Sequence, residues 1–165
     1  SVILRPSLVF GPEDKFFNTF ASLAQLCPII PLIGGGKTKF APIYVGNVAK
    51  AIVKALELNN SEPKIYELGG PENYSFKELM QILLVEIKKK RFLIPIPFSV
   101  AKFQSYFLQM APNPLLTPDQ VEILKYNNIV SGKYPTLEDL GISGETIHSI
   151  LPKYIYRFRT GGQFG

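Results

Sequence analysis

Cysteine and histidine are nearly missing from this 165-residue chain: Cys27 and His148 are the only ones. One cysteine excludes an internal disulfide, and one of each leaves too few ligands for a zinc site built from protein alone. Serine–histidine hydrolase chemistry survives only if His148 is the base. Charge is sparse too. Charged residues make up 19%, and the net excess of +5 does not by itself imply a nucleic-acid partner. Long hydrophobic runs are lacking. The most apolar stretches, Cys27 to Ile33 and Phe92 to Pro97, are short and broken by proline, far from the ~20 apolar residues that span a bilayer. No signal-peptide pattern is present. The 46% hydrophobic content is that of an ordinary globular chain, long enough to bury a core.

Two chemical signatures are also lacking. A glycine-rich turn between strand and helix would bind a dinucleotide, but Gly34-Gly35-Gly36-Lys37 has neither that spacing nor the glycine a phosphate loop needs. It reads as a plain turn with solvated lysines. None of the eight tyrosines has a lysine four residues on, the pairing that would lower a tyrosine pKa for proton exchange. His148 reads as a packing or surface residue, and Cys27 as an inert thiol on an apolar helix face.

The chain opens with an apolar run from Val2 to Phe10, closed by Gly11-Pro12, which reads as a buried strand. Phe16, Phe20, Leu23 and Cys27 recur at helical spacing, and Pro28 ends that helix. After the glycine turn, 40–45 is extended, and Asn47 is placed to cap a helix with Val48, Ile52, Ala55 and Leu56 on one face. Asn59-Asn60-Ser61 stops it. Lys64 to Leu68 is a second strand. Ser75-Phe76-Lys77-Glu78 is a capping box opening a helix with Phe76, Leu79, Leu83 and Ile87 on its inner face. That helix runs out into Lys88-Lys89-Lys90-Arg91, where positive charge suits the macrodipole.

The remainder reads as helical and punctuated by proline. Val100, Phe103, Phe107 and Met110 form one stripe, and Thr117-Pro118-Asp119-Gln120 is a second capping box, stapled by Leu116 and Val121. Short helical pieces follow at 137–140 and 146–151, and the tail 160–165 looks loosely ordered. The fold class expected is therefore α/β: the C-terminal part of a Rossmann-like doubly wound sheet with two or three strands (1–90), then a mainly helical extension (91–165). The basic run beside the bulky 92–107 segment is a membrane-surface pattern, with Lys88, Lys89, Lys90 and Arg91 as charges and Phe103 and Phe107 as inserting groups. A solvated helix end and core aromatics are the competing reading.

Several motifs in order resemble the extended short-chain dehydrogenases, the NAD-dependent epimerase/dehydratase family. Arg5 to Pro12 is similar to the strand and turn after that family's catalytic region. Pro42 to Ala49 is similar to a later strand-to-helix motif, with Asn47 where an acid usually stands. Tyr66 to Pro71 with Ser75 to Leu79 is similar to the last strand and following helix. The stretches 13–22, 137–142 and 154–165 resemble one atypical branch, the NAD(P)H-binding accessory subunit of respiratory complex I and its bacterial relatives. The resemblance implies the C-terminal half of such a protein. It implies NAD or NADP as cofactor, with Arg5, Pro6, Ser7, Leu8, Val9 and Phe10 at its nicotinamide end and Lys37 and Lys39 on the substrate side. It also implies that the cofactor loop and catalytic pair lie in the other half, so that the chain alone neither binds nucleotide tightly nor turns over. The partners implied are that other half or another subunit, a respiratory complex and an anionic membrane surface, at the cytoplasmic face of an inner membrane or in a mitochondrial matrix. Three alternatives stand beside this: the substrate half of a nucleotide-sugar epimerase or dehydratase, a non-catalytic peripheral-membrane scaffold, and a degraded product without function.

Overall fold

The computed structural model describes residues 2–57, 64–108 and 118–158. The opening apolar run is one strand interrupted at Ser7 and Leu8. Its first part, β1 (Val2–Pro6), pairs in parallel with β6 (Lys64–Leu68), with Leu4 opposite Tyr66. Its second part, β2 (Val9–Phe10), pairs in parallel with β5 (Ile43–Tyr44). The helix α2 (Val45–Glu57) links these pairs and covers one face of β1 and β6. Parallel strands joined through a helix are the Rossmann-like element. Tyr66 and Leu68 pack there with Ile43, Ala51 and the short 3₁₀ segment Leu137–Leu140.

Described residues hold more strands than the two or three expected. The strand β3 (Ile29–Ile33) pairs in parallel with β8 (Phe92–Ile96), and β4 (Lys39–Phe40) pairs antiparallel with β7 (Tyr74–Ser75). Pro31 and Pro95 lie inside β3 and β8. They are tolerated because each strand has one ladder partner, so a missing N–H can face away from it. The mainly helical part thus begins with a strand. Ile30 and Leu32 point into the core, while Ile29, Phe92 and Ile94 lie on the outer face.

The larger core joins α1 (Phe17–Leu26) to α3 (Phe76–Ile87) through rings: Phe16, Phe20 and Phe76 meet with centroids 5.2–5.9 Å apart. The expected stripe of α3 is buried whole, and burying each such side chain contributes roughly 1.5–3 kcal/mol. Its capping box is formed: Ser75 Oγ accepts from the Glu78 amide at 3.2 Å and Glu78 Oε1 accepts from the Ser75 amide at 3.0 Å. Ala101 of α4 (Phe98–Leu108), residues 121 and 124 at and beyond α5 (Pro118–Ile123), and α6 (Ile147–Ile150) with α7 (Pro152–Ile155) enter the same core. Residues on both sides of position 90 therefore share it.

Three local expectations change. The helix α2 starts at Val45, two residues before Asn47, so Asn47 sits in its first turn instead of capping it. It is 1% exposed, and neither side-chain amide atom has a partner. The inner face of α2 is Asn47 and Ala51, with Val48 packed against it; Ile52 and Leu56 face outward, Leu56 82% exposed. On α4, Val100 and Phe103 also point outward, Phe103 being 65% exposed. The side chains of Phe107 and Met110, the second capping box, its Leu116 staple, Asn59-Asn60-Ser61 and the tail 160–165 lie outside the described residues.

An unpaired buried amide costs about 1–3 kcal/mol. Asn47→Leu, of similar size and apolar, is expected to raise the unfolding free energy by about 1–2 kcal/mol in urea titration. An unchanged or lowered midpoint would mean that Asn47 has a partner in solution.

Candidate functional site

Ligands of parallel α/β sheets gather beyond the carboxyl ends of the strands, where helix amides face the opening. Here those ends are Phe10 of β2 and Tyr44 of β5, with α2 beginning at once. Two cavities open beside them and share Val9. One of about 520 Å³ is walled by Val9, Phe10, Gly11 to Asp14 and Val45. The other, about 300 Å³, is walled by Ser7, Leu8, Val9, Lys15, Phe16 and Phe20, with Ile123 and Asn128 from the far side.

The six residues expected at the nicotinamide end divide accordingly. Ser7, Leu8, Val9 and Phe10 line this cleft. Arg5 and Pro6 do not: they lie on β1, where the Arg5 guanidinium stands 5.6 Å over the Tyr134 ring. Ser7 is fixed, its hydroxyl donating to the Asn128 carbonyl and accepting from the Ala41 amide at 3.1 Å. Lys37 and Lys39 are exposed and line neither cavity. Arg91 is held inside the fold, donating from Nε to the Ala24 carbonyl at 2.6 Å and so closing the end of α1. Lys88, in the left-handed conformation at the end of α3, is exposed, as is Lys90; Lys89 is half-buried. His148 is exposed beside Tyr74, ring centroids 6.5 Å apart.

Asp14 is the residue that sequence reasoning missed. It accepts from the Gly11 and Asn18 amides at 3.1 Å and from the Tyr154 hydroxyl at 2.6 Å. It therefore organises the turn that walls the larger cavity and ties it to α7. An aspartate just ahead of an apolar helical stripe was the available signal, since the carboxylate stands in for a helix cap. Burial pushes the Asp14 pKa above its ordinary value, against the lowering effect of the Tyr154 hydroxyl and the three amides of Gly11, Asn18 and Phe17. A raised native pKa gives stability that is complete below the unfolded-state value and is lost as pH rises through the native one. Asp14→Asn removes that dependence. The advantage of wild type over the variant is expected to be largest in acid near pH 4 and to shrink toward neutrality, read by urea titrations across pH. A difference growing with pH would overturn this account.

Among the described residues no group of three or more His, Cys, Asp or Glu is placed to hold a metal, and no helix is long and apolar enough to cross a membrane. A pyrophosphate cradle needs a glycine turn leading into a helix. The Gly34–Gly36 turn, at φ of 67°, 79° and 73°, leads instead into β4.

Residues 1–74 match the sequence model of the 3-beta hydroxysteroid dehydrogenase/isomerase family. The chain is similar to the mitochondrial NADH dehydrogenase (ubiquinone) 1 alpha subcomplex subunit 9 of Arabidopsis thaliana, 33% identical over 98% of the chain and 43% of that protein. Its fold is similar to that of a human epimerase family protein solved with NADPH: TM-score 0.64, 18% identity, 95% of this chain and 47% of that one. It is also similar to a dTDP-glucose 4,6-dehydratase from Bacillus anthracis solved with NAD: TM-score 0.65, 14% identity, 93% and 43%. The chain thus spans less than half the length of each of these three proteins.

Proposed function

We propose, from its similarity to a respiratory complex I subunit and the fold it shares with epimerase- and dehydratase-type proteins, that the chain is the ligand-side half of an NAD(P)(H)-binding accessory component of a respiratory complex, without turnover of its own. The observation that carries the proposal is the 33% identity to the Arabidopsis subunit over nearly the whole chain. The cleft beyond β2 and β5 supports it by offering walls for the nicotinamide end of a dinucleotide. Phosphate binding falls to a second half, which would pair with the open edge of β1 and cover the outward apolar stripe of α2, Val45, Ile52, Val53 and Leu56. Burial, followed by the hydrogen bond from its hydroxyl to Glu72, pushes Tyr74 up to about 12, which leaves this tyrosine unsuited to proton exchange. Proton exchange near neutrality needs the opposite shift.

The same component would lie against an anionic membrane at the matrix or cytoplasmic side. Lys88 to Lys90 there adjoin an outward apolar face of Phe92, Ile94, Val100 and Phe103.

In calorimetric titration the chain alone is expected to bind NADH and NADPH no tighter than about 100 μM. Co-expressed with the N-terminal part of the Arabidopsis relative, it should bind one of them in the low-micromolar range. Low-micromolar affinity in the chain alone, or no association with that part, would overturn the proposal.

A further inference from the structure

The smaller cavity has walls unlike those a nucleotide sugar requires. Five of its eight lining residues, Leu8, Val9, Phe16, Phe20 and Ile123, are apolar, and two of them are aromatic. Its one lining hydroxyl is already engaged, since Ser7 Oγ donates to one backbone group and accepts from another. A sugar brings several hydroxyls, and each one buried without a partner costs about 1–3 kcal/mol. A volume of about 300 Å³ is twice that of a dry cavity that holds benzene, which makes room for about ten to twelve non-hydrogen atoms.

We propose that this cavity binds an uncharged, mainly aliphatic ligand of that size, a medium-chain alcohol or the equivalent part of a larger apolar molecule, and excludes nucleotide sugars. Apolar ligands of this kind gain from desolvation alone and need few polar anchors. The inference rests on the reading of the cleft as the ligand side of the protein, and it supplies the ligand class which that reading leaves open.

The test is methyl NMR of the 165-residue chain, with 1-decanol and UDP-glucose as probes. Decanol is expected to shift the methyl signals of Leu8, Val9 and Ile123 below about 1 mM, while UDP-glucose leaves them in place at several times that concentration. Ile123 lines the cavity and is half-exposed, so a larger side chain there has room at the surface. Ile123→Trp should therefore weaken decanol binding at least about tenfold with the rest of the spectrum unchanged. Should that variant unfold, Ile123→Phe carries the same expectation. Shifts with UDP-glucose, silence with decanol, or decanol shifts that survive both variants would each overturn the proposal. Nucleotide binding by the chain joined to a phosphate-binding half is measured separately. If it persists while decanol fails, only the ligand class is wrong; if it too is lost, the reading of the cleft falls.

Discussion

Gly70→Ala is expected to cost about 3 kcal/mol or more, enough to unfold a large share of a marginally stable chain. Gly70 follows β6 at the carboxyl edge of the parallel strands, where its amide donates to the Ala41 carbonyl at 3.0 Å. A Cβ there would lie 1.7 Å from the Pro42 carbonyl oxygen and 2.8 Å from its carbon. Both sides of that contact are backbone, so no side chain can rotate away. Relief means parting the 41–43 segment from the end of β6, which also moves Val45 and the start of α2 away from the larger cavity. Gly132 provides the comparison. It has open space around it, so Gly132→Asn meets no clash and costs only the strain of a φ of +83°, about 1–2 kcal/mol. Urea unfolding followed by far-ultraviolet circular dichroism measures both. A Gly70→Ala chain within about 1 kcal/mol of wild type would show that the two segments are not in contact in solution.

The sequence announced those parts of the fold whose physics is local. Ser75 and Glu78 are three residues apart and satisfy each other, so the capping box could be read directly, and so could the four-residue stripes of α1 and α3. Features that depend on distant partners were hidden. Pro31 and Pro95 made β3 and β8 look like broken apolar loops, because a proline disqualifies a strand only when both its edges are paired, and the pairing spans 63 positions. On α2 the apolar stripe of Val48, Ile52, Ala55 and Leu56 is not the buried one as a whole. Outward Ile52 and Leu56 agree with a partner that lies outside these residues, and the inner face uses small Ala51 to let the helix sit close to the sheet.

Of the residues that wall the two cavities, Ser7 to Phe10 were singled out only through resemblance, as an expected nicotinamide end. Nothing in Ser7 to Phe10 as residue types distinguishes a cavity wall from a buried strand, and the strand reading alone would have left them in the core. Arg5 and Pro6, expected at the same end, lie on β1 and line neither cavity. Asp14 carried a local signal, its place just ahead of α1, but its tie to Tyr154, 140 positions away, did not show in the sequence.

Anionic vesicles are expected to retain the chain at low salt and release it at high salt. Replacing Lys88, Lys89 and Lys90 together by glutamine should weaken binding by about a hundredfold, since each basic residue near such a surface contributes ~1 kcal/mol and 1.4 kcal/mol is a factor of ten. Arg91 is left out because its guanidinium is held by the Ala24 and Lys90 carbonyls. The salt dependence follows from screening within a Debye length of ~10 Å at 0.1 M. Apolar contact adds to the charge. Phe92 is 72% exposed, and Ile94 follows it on the same face of β8, so both can enter the headgroup region without leaving a core. A buried phenylalanine would cost ~3–5 kcal/mol on truncation, but at the observed exposure Phe103→Ala and Phe92→Ala should each cost under about 1 kcal/mol of stability while reducing vesicle binding. Sedimentation with vesicles at two salt concentrations, alongside urea unfolding of the alanine variants, separates the membrane role from the core role. No sedimentation at low salt, or sedimentation undiminished by the triple glutamine replacement, would remove the membrane from this protein's partners.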